Sequence, residues 1–108
     1  MILGIDIGGT TSKFGLVQNG IVVARARIST TGHANDHTFA DALADAVREL
    51  VRAGHSASQT TDNQQPITAI GIGAPNANQK TGIIEMAPNL PWKHDVPLAR
   101  MMGDRLGV

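Results

Sequence analysis

Cysteine is absent from the 108 residues, aromatic residues are scarce, and the acidic and basic charges cancel. Without cysteine this stretch has no disulfides, thiolate nucleophiles or cysteine-based zinc sites, which fits a reducing cytosol. The aromatic residues are Phe14, Phe39 and Trp92, so platforms for stacking nucleic-acid bases have little to be built from. Nine Lys and Arg against nine Asp and Glu give a formal charge of zero. That balance excludes a general basic field for nucleic acid or an anionic membrane.

Long apolar runs are also missing. No stretch approaches the roughly 18 apolar residues of a membrane-spanning helix, and residues 1–7 reach Asp6 before a signal-length run develops. We therefore expect a soluble cytoplasmic protein without a membrane partner. What is present is 42% hydrophobic residues against 17% charged residues, which is enough apolar material for one domain with a core.

The first third of the chain has the pattern of β-strands. Ile2–Ile7 is short, mostly apolar and β-branched, which predicts a strand buried on both faces. Residues 12–17 alternate between two faces, and Asn19-Gly20 supplies a tight turn before a third run at residues 21–28. These features predict an antiparallel meander of three strands.

A helix and a fourth strand follow. The apolar residues of the predicted helical face are Phe39, Leu43, Val47, Leu50 and Val51. Asp36 is the expected N-cap, Gly54 the expected end, and residues 55–65 an exposed loop. Residues 67–73 predict a buried strand beside the first and parallel to it, with the helix crossing one face. The predicted fold class is α/β, with a mixed sheet of a three-strand meander plus one parallel strand.

The last third is interrupted by prolines and glycine. A short hairpin is expected at residues 81–86, and Trp92 is expected to pack its loop against the sheet. Asp95 is the expected cap of a final amphipathic helix that Gly107 ends. The histidines show no metal-ligand spacing, so they predict no metal site.

The main functional signal is the stretch Asp6-Ile7-Gly8-Gly9-Thr10-Thr11-Ser12-Lys13. Glycines at a strand end let successive amides face one concavity, which a polyphosphate enters without meeting a Cβ. The hydroxyls and Lys13 add further donors, and Asp6 is placed to hold Mg²⁺, through water. The alternative is a glycine hairpin turn in which Asp6 satisfies local amides. The spacing fits neither a P-loop nor a dinucleotide fingerprint.

A second candidate site follows the fourth strand. Pro75 fixes the turn there, and Asn76, Asn78 and Asn89 offer short amides that suit the hydroxyls of a sugar. Turn formation beside prolines is the alternative for each asparagine. Asn89 is the strongest single candidate for a ligand contact.

Three segments in order carry a resemblance to a known family. They are Gly4-Ile5-Asp6-Ile7-Gly8-Gly9-Thr10, then Gly71-Ile72-Gly73-Ala74-Pro75, then Ala87-Pro88-Asn89-Leu90-Pro91-Trp92. Together they resemble the amino-terminal part of the ROK family, in particular its bacterial glucokinases. The resemblance extends over essentially all of residues 1–108, and implies a ribonuclease H-like, actin-like ATPase lobe of the hexokinase type.

The resemblance also implies a site. It places the phosphates of ATP at Asp6, Gly8, Gly9, Thr10 and Thr11, with Mg²⁺ at Asp6. Lys13 is added as a candidate, although ROK sequences often have lysine at the position of Thr11. The resemblance implies a sugar pocket lined by Pro75, Asn76 and Asn89. Asn76 stands where glycine is usual in the family, and asparagine tolerates the same left-handed backbone.

The implied activity is ATP-dependent phosphorylation of glucose, or of a similar hexose, to the 6-phosphate. At full length the protein is expected to be a homo-oligomer. No nucleic-acid partner is expected. The family's catalytic base lies in an Asn-Asp-x-Asn motif that these residues lack. We therefore expect a truncated first lobe that is inactive alone, whose sheet leaves an unpaired edge that favours self-association.

Other functions stay open. One is a kinase for another hexose or an amino sugar, and another is a non-catalytic ATP-binding or assembly module. A third is a ROK transcriptional repressor, which is expected to carry a helix-turn-helix domain before the glycine turn.

Overall fold

A four-stranded mixed sheet and two helices organise the chain. The computed structural model describes residues 1–56 and 67–108. The elements in chain order are β1 (Ile2–Ile7), β2 (Thr11–Gln18), β3 (Ile21–Ser29), α1 (Asp36–Ser56), β4 (Ala69–Gly73), β5 (Ala77–Asn78), β6 (Ile83–Ile84) and α2 (Leu98–Leu106). This order confirms the predicted meander followed by a helix and a strand.

The sheet has the strand order β3-β2-β1-β4. The pairs β1–β2 and β2–β3 are antiparallel, while β4 runs parallel to β1, with Asp6 opposite Gly73. Asn19 and Gly20 have φ values of 53° and 78°, which form the tight turn predicted between β2 and β3. The predicted mixed sheet is confirmed.

One face of the sheet carries the core. Its buried residues are Leu3, Ile5 and Ile7 of β1 and Phe14 and Leu16 of β2, which share a core cluster with Phe39, Leu43 and Val47 of α1. The opposite face, which bears Ile2, Gly4 and Asp6, is called the open face below, and Ile2 is 49% exposed there. The prediction that β1 is buried on both faces is therefore wrong, because α1 covers only one of them.

Strand β4 lies at an edge of the sheet. In the part of the chain that the structure describes, β1 is its only neighbour. Ile70 and Ile72 are half-buried, and Ala69, Gly71 and Gly73 are exposed. The prediction of a buried strand is wrong because burial needs a second neighbour or a covering layer. The predicted unpaired edge is present among the described residues.

Both ends of α1 differ from the prediction. The Asn35 side chain accepts a hydrogen bond from the Thr38 amide at 2.8 Å, so Asn35 is the N-cap and Asp36 is the first helical residue. The helix continues through Gly54 to Ser56, because glycine permits a helical end without requiring one. Residues 57–65 of the predicted loop lie outside the described residues.

The start of α2 also differs from the prediction. Pro97 occupies its N-cap position without a side-chain hydrogen bond, while Asp95 accepts a hydrogen bond from the Met86 amide at 2.9 Å. Gly107 ends the helix with φ 73°, as predicted.

The short hairpin pairs β5 with β6, earlier in the chain than expected. Among residues 1–56 and 67–108, no helix combines the length and apolarity needed to cross a membrane.

Candidate functional site

The turn between β1 and β2 is shaped by its own backbone. The Gly8 amide donates to the Thr11 carbonyl at 3.1 Å, and the Thr10 carbonyl accepts from the Thr30 amide at 2.8 Å. A Cβ on Gly8 would lie 2.6 Å from the Thr11 carbonyl oxygen. Neither Gly8 nor Gly9 has a positive φ, so the close approach of backbone atoms is what requires glycine at these positions.

The next two amides of the turn are available to a ligand. Among residues 1–56 and 67–108, no carbonyl or side chain accepts a hydrogen bond from the N–H of Gly9 or Thr10. The hydroxyl of Thr10 is exposed at the same place. An anion can be bound by these neighbouring donors while the Gly8 amide maintains the turn. Of the residues predicted to bind phosphate through their amides, Gly9 and Thr10 have free N–H groups, whereas the Gly8 N–H holds the turn.

Asp6 stands on the open face, directly before this turn. Its neighbours on the adjacent strands are Lys13 and Gly73. A Cβ on Gly73 would lie 4.0 Å from Asp6 Oδ1, which shows that the carboxylate lies over β4. Asp6 is exposed, and in the described ranges no amide donates to it and no cation lies within ion-pair distance. Hydrated Mg²⁺ prefers such a carboxylate, so the free acceptor fits the predicted metal better than the alternative of satisfying local amides.

The Pro75–Asn76 turn serves the β5–β6 hairpin. Asn76 has φ 56°, and its Nδ2 donates to the Met86 carbonyl at 2.9 Å. The Asn76 carbonyl also accepts from the Glu85 amide at 3.0 Å. Both contacts close the hairpin, so the turn-forming interpretation describes what Asn76 does here. Pro75 is half-buried.

Asn78 and Glu85 form a cross-strand contact in the same hairpin. Asn78 Nδ2 donates to Glu85 Oε2 at 3.3 Å, and Asn78 Oδ1 accepts from the Lys80 amide at 3.0 Å. Both polar atoms of the Asn78 side chain therefore have hydrogen-bond partners within the hairpin. The hairpin therefore uses the two asparagines that follow β4 for its own geometry.

Asn89 lies on a loop anchored on both sides. Leu90 and Trp92 are buried, and the Trp92 ring lies 4.9 Å from the Phe39 ring of α1. The tryptophan thus packs the loop against the helix, where the sheet had been expected. Lys93 Nζ donates to the Leu90 carbonyl at 3.3 Å and to the Pro88 carbonyl at 3.2 Å.

This anchoring places Asn89 against the glycine turn. A Cβ on Gly9 would lie 2.6 Å from the Asn89 carbonyl oxygen. The Asn89 residue itself is exposed, and in the described residues its side chain makes no hydrogen bond. The structure therefore brings together two segments separated by some eighty residues of sequence.

The site gathers at one end of the sheet. Because β1 and β4 are parallel, the turns after Ile7 and Gly73 leave the same end, and ligands commonly bind outside the carboxyl ends of parallel strands. Asp6, the Gly8–Thr11 turn and Asn89 meet there, while Asn76 is directed into the hairpin. Sequence reasoning missed Lys93, which holds the loop.

Comparisons with known proteins agree on one family. The sequence profile of the ROK family matches residues 2–108. The glucokinase of Thermotoga maritima is 28% identical over 108 residues, which cover 98% of this chain and 31% of that protein. The structure of a ROK hexokinase from Thermus thermophilus superposes with a TM-score of 0.73 at 25% identity, over 98% of this chain and 32% of the other.

A further solved structure contains ligands. It is a ROK family glucokinase from Streptomyces griseus in complex with glucose and AMPPNP, with a TM-score of 0.65 and 29% identity over 99% of this chain and 30% of that one. The chain spans about a third of the length of these relatives.

A protein named as a repressor is also similar. The xylose repressor of a Caldicellulosiruptor species is 48% identical over 46 residues, which cover 42% of this chain and 11% of that protein. Similarity to this chain is therefore shared by proteins named as glucokinases and by a protein named as a xylose repressor.

Proposed function

This chain belongs to the ROK family, and from that premise we propose that it is the phosphate-binding lobe of an ATP-dependent hexose kinase acting on glucose. The observation that carries the proposal is the set of free groups at one end of the sheet: the amides of Gly9 and Thr10 beside the exposed carboxylate of Asp6. Relatives named as glucokinases, one of them solved with glucose and AMPPNP, support it.

The proposed roles follow from the contacts. The Gly9 and Thr10 amides and the hydroxyls of Thr10 and Thr11 bind the terminal phosphates, while Gly8 holds the turn. Asp6 holds the Mg²⁺ that accompanies ATP. The charge of a bound Mg²⁺ would neutralise the negative charge of the phosphates. Lys13, opposite Asp6, adds positive charge beside the phosphates.

The sugar is proposed to lie on the other side of the turn. Asn89 contacts a hexose hydroxyl through its free side-chain amide, and Pro75 shapes the adjoining wall. Asn76 shapes the adjoining hairpin and is not proposed to contact the sugar, because its Nδ2 is bound to the Met86 carbonyl. The chain has no Asn-Asp-x-Asn motif, so we propose that the base that deprotonates the sugar hydroxyl is not among these residues, and that the chain alone transfers no phosphoryl group.

Titration of the chain with MgATP tests this proposal. We expect binding of MgATP by calorimetry, and Asp6→Asn to weaken it roughly tenfold, equal to about 1.4 kcal/mol. The matched control is Asp104→Asn, an exposed carboxylate on α2, which should leave the affinity unchanged. An Asp6→Asn chain that binds MgATP as tightly as the original would contradict the assigned metal role.

A sugar-responsive regulator is the second candidate, because a protein named as a xylose repressor shares 48% identity over 46 residues. The two functions differ in their ligands. A regulator lobe binds sugar without any effect of ATP, so glucose and xylose titrations with and without MgATP separate them. Sugar binding that is indifferent to MgATP, together with no MgATP binding, favours the regulator.

A further inference from the structure

Two buried hydroxyl groups meet beside the Gly8–Thr11 turn. Ser12 is 0% exposed and Thr30 is 1% exposed, and their hydroxyl oxygens lie 2.6 Å apart in a hydrogen bond. Ser12 is the first residue of β2 after the turn, and Thr30 directly follows β3. Among the described residues, Asp36 at the start of α1 is the other buried polar residue. The Ser12–Thr30 pair is therefore an exception within an apolar core.

The position of Ser12 on β2 suits an apolar side chain. Ser12 shares the core face of this strand with Phe14 and Leu16, which are both buried. A buried hydrogen bond adds little net stability, because it replaces a bond that the hydroxyl would otherwise make to water. A fully buried hydroxyl is also out of reach of a ligand. Neither packing nor direct ligand contact therefore explains why this position carries a hydroxyl.

Thr30 also contacts the turn through its backbone. Its amide donates to the Thr10 carbonyl at 2.8 Å. The peptide between Thr10 and Thr11 is trans and planar, so this hydrogen bond fixes the direction of the whole peptide plane. The Thr11 carbonyl in turn accepts from the Gly8 amide at 3.1 Å. The free amides of Gly9 and Thr10 thus lie between two anchored points, the Gly8 amide and the Thr10 carbonyl.

The two contacts of Thr30 depend on each other. The hydroxyl bond to Ser12 holds Thr30 against β2, and this places the Thr30 amide at the carbonyl of Thr10, two residues before Ser12. The segment that carries Thr30 is held on its other side as well, because His33 Nε2 forms a hydrogen bond with the Ser29 carbonyl at 2.9 Å. The anchor of the turn is therefore a fixed part of the fold.

We propose that Thr30 is a positioning residue for the Gly8–Thr11 turn, held in place by the hydroxyl of Ser12. The inference rests on the proposed function, because the Gly9 and Thr10 amides are the groups assigned to the phosphates. Thr30 touches no phosphate and acts through the Thr10 carbonyl. Loss of the hydroxyl pair therefore lowers phosphate affinity even where the stability of the chain is restored.

A double-mutant cycle separates positioning from packing. Thr30→Val and Ser12→Ala each leave one buried hydroxyl without its partner, so each should lower the urea midpoint. Ser12→Ala/Thr30→Val removes both hydroxyls, which should return the urea midpoint close to that of the original chain. The MgATP affinity of this double variant, measured by calorimetry, should stay roughly threefold to tenfold weaker, the effect of about one hydrogen bond.

Two further variants complete the cycle. Thr30→Ser keeps the hydroxyl and should retain most of the MgATP affinity. Thr68→Val is the matched control, because the Thr68 hydroxyl donates to the Met1 carbonyl at 3.3 Å at the opposite end of the sheet. It should leave the MgATP affinity unchanged. A double variant that recovers both its urea midpoint and its MgATP affinity would show that the Ser12–Thr30 pair only packs the core, and would overturn the inference.

The amide resonances of Gly9 and Thr10 provide a readout without any ligand. In proton–nitrogen correlation spectra of the ligand-free chain they should shift in the double variant, while those of Leu43 and Val47 in α1 should not. Unshifted Gly9 and Thr10 resonances would also overturn the inference. Absence of MgATP binding by the original chain would instead contradict the proposed function, and the resonances would still decide whether Thr30 positions the turn.

Discussion

Gly9 is the residue that joins the two loops of the site. Its position allows no side chain, because a Cβ would lie 2.6 Å from the backbone oxygen of Asn89. We expect Gly9→Ala to displace the Asn89 loop and to lower the free energy of unfolding by about 1–3 kcal/mol, the usual range for forced overpacking. Urea denaturation measures the loss, and MgATP titration of the same variant should show weaker binding.

Gly4→Ala is the matched control for this substitution. A Cβ at Gly4 meets nothing within 4 Å, and its φ is not positive. Replacing glycine by alanine where the conformation is compatible stabilises a protein by about 0.4–1 kcal/mol through the unfolded state. Equal urea midpoints for the Gly9→Ala and Gly4→Ala variants would show that the Asn89 carbonyl does not prevent a side chain at position 9.

The sequence allowed some of these residue roles to be predicted and not others. The sequence predicts Gly8, Gly9 and Asp6 as site residues because a strand end, two glycines and a carboxylate are local features. The sequence favours Asn89 as a ligand contact, but turn formation stays open for both Asn76 and Asn89, since both stand beside prolines. The difference is a long-range one: Asn76 bonds to Met86 across a hairpin, whereas Asn89 meets Gly9 across the fold.

At the scale of elements, α1 depends on its first turn. Asn35 accepts hydrogen bonds from the Thr38 amide at 2.8 Å and from the Thr38 hydroxyl at 3.0 Å. Removing an N-cap side chain costs about 1 kcal/mol, so we expect Asn35→Ala to destabilise the chain by about that amount in urea unfolding. Asn35→Asp keeps the acceptor and should restore most of the loss. If Asn35→Ala is neutral, Asp36 rather than Asn35 caps the helix.

Element types were predicted better than element ends and burial. Apolar spacing identified α1 and the meander, because periodicity records which side of an element meets the core. The N-cap is Asn35, where Asp36 was predicted, because either residue type suits an N-cap and only the backbone geometry distinguishes the two positions. The exposure of β4 was not predictable, since an apolar run does not record how many strands flank it.

On the scale of the whole molecule, the site exists because β1 and β4 are parallel neighbours. The crossover through α1 brings the end of β4 beside the end of β1, and the loop from Ala87 to Trp92 then packs on the same helix through Phe39. Distant segments thus share one end of the sheet. The same topology leaves the other side of β4 without a partner in the described part of the chain.

That free edge predicts self-association of the 108-residue chain. An uncharged edge strand is a template for pairing, and β4 is self-complementary: antiparallel pairing centred on Gly71 places Ile70 opposite Ile72 of a second copy. We expect the sedimentation coefficient to rise with concentration.

Gly71→Lys should weaken association about tenfold, or about 1.4 kcal/mol. In the pair two lysines would then oppose each other, while in the monomer the added Cβ meets no atom within 4 Å. Val108→Lys adds the same charge at a residue that is 47% exposed and should leave association unchanged. Equal association of the original and Gly71→Lys chains would show that the β4 edge does not pair.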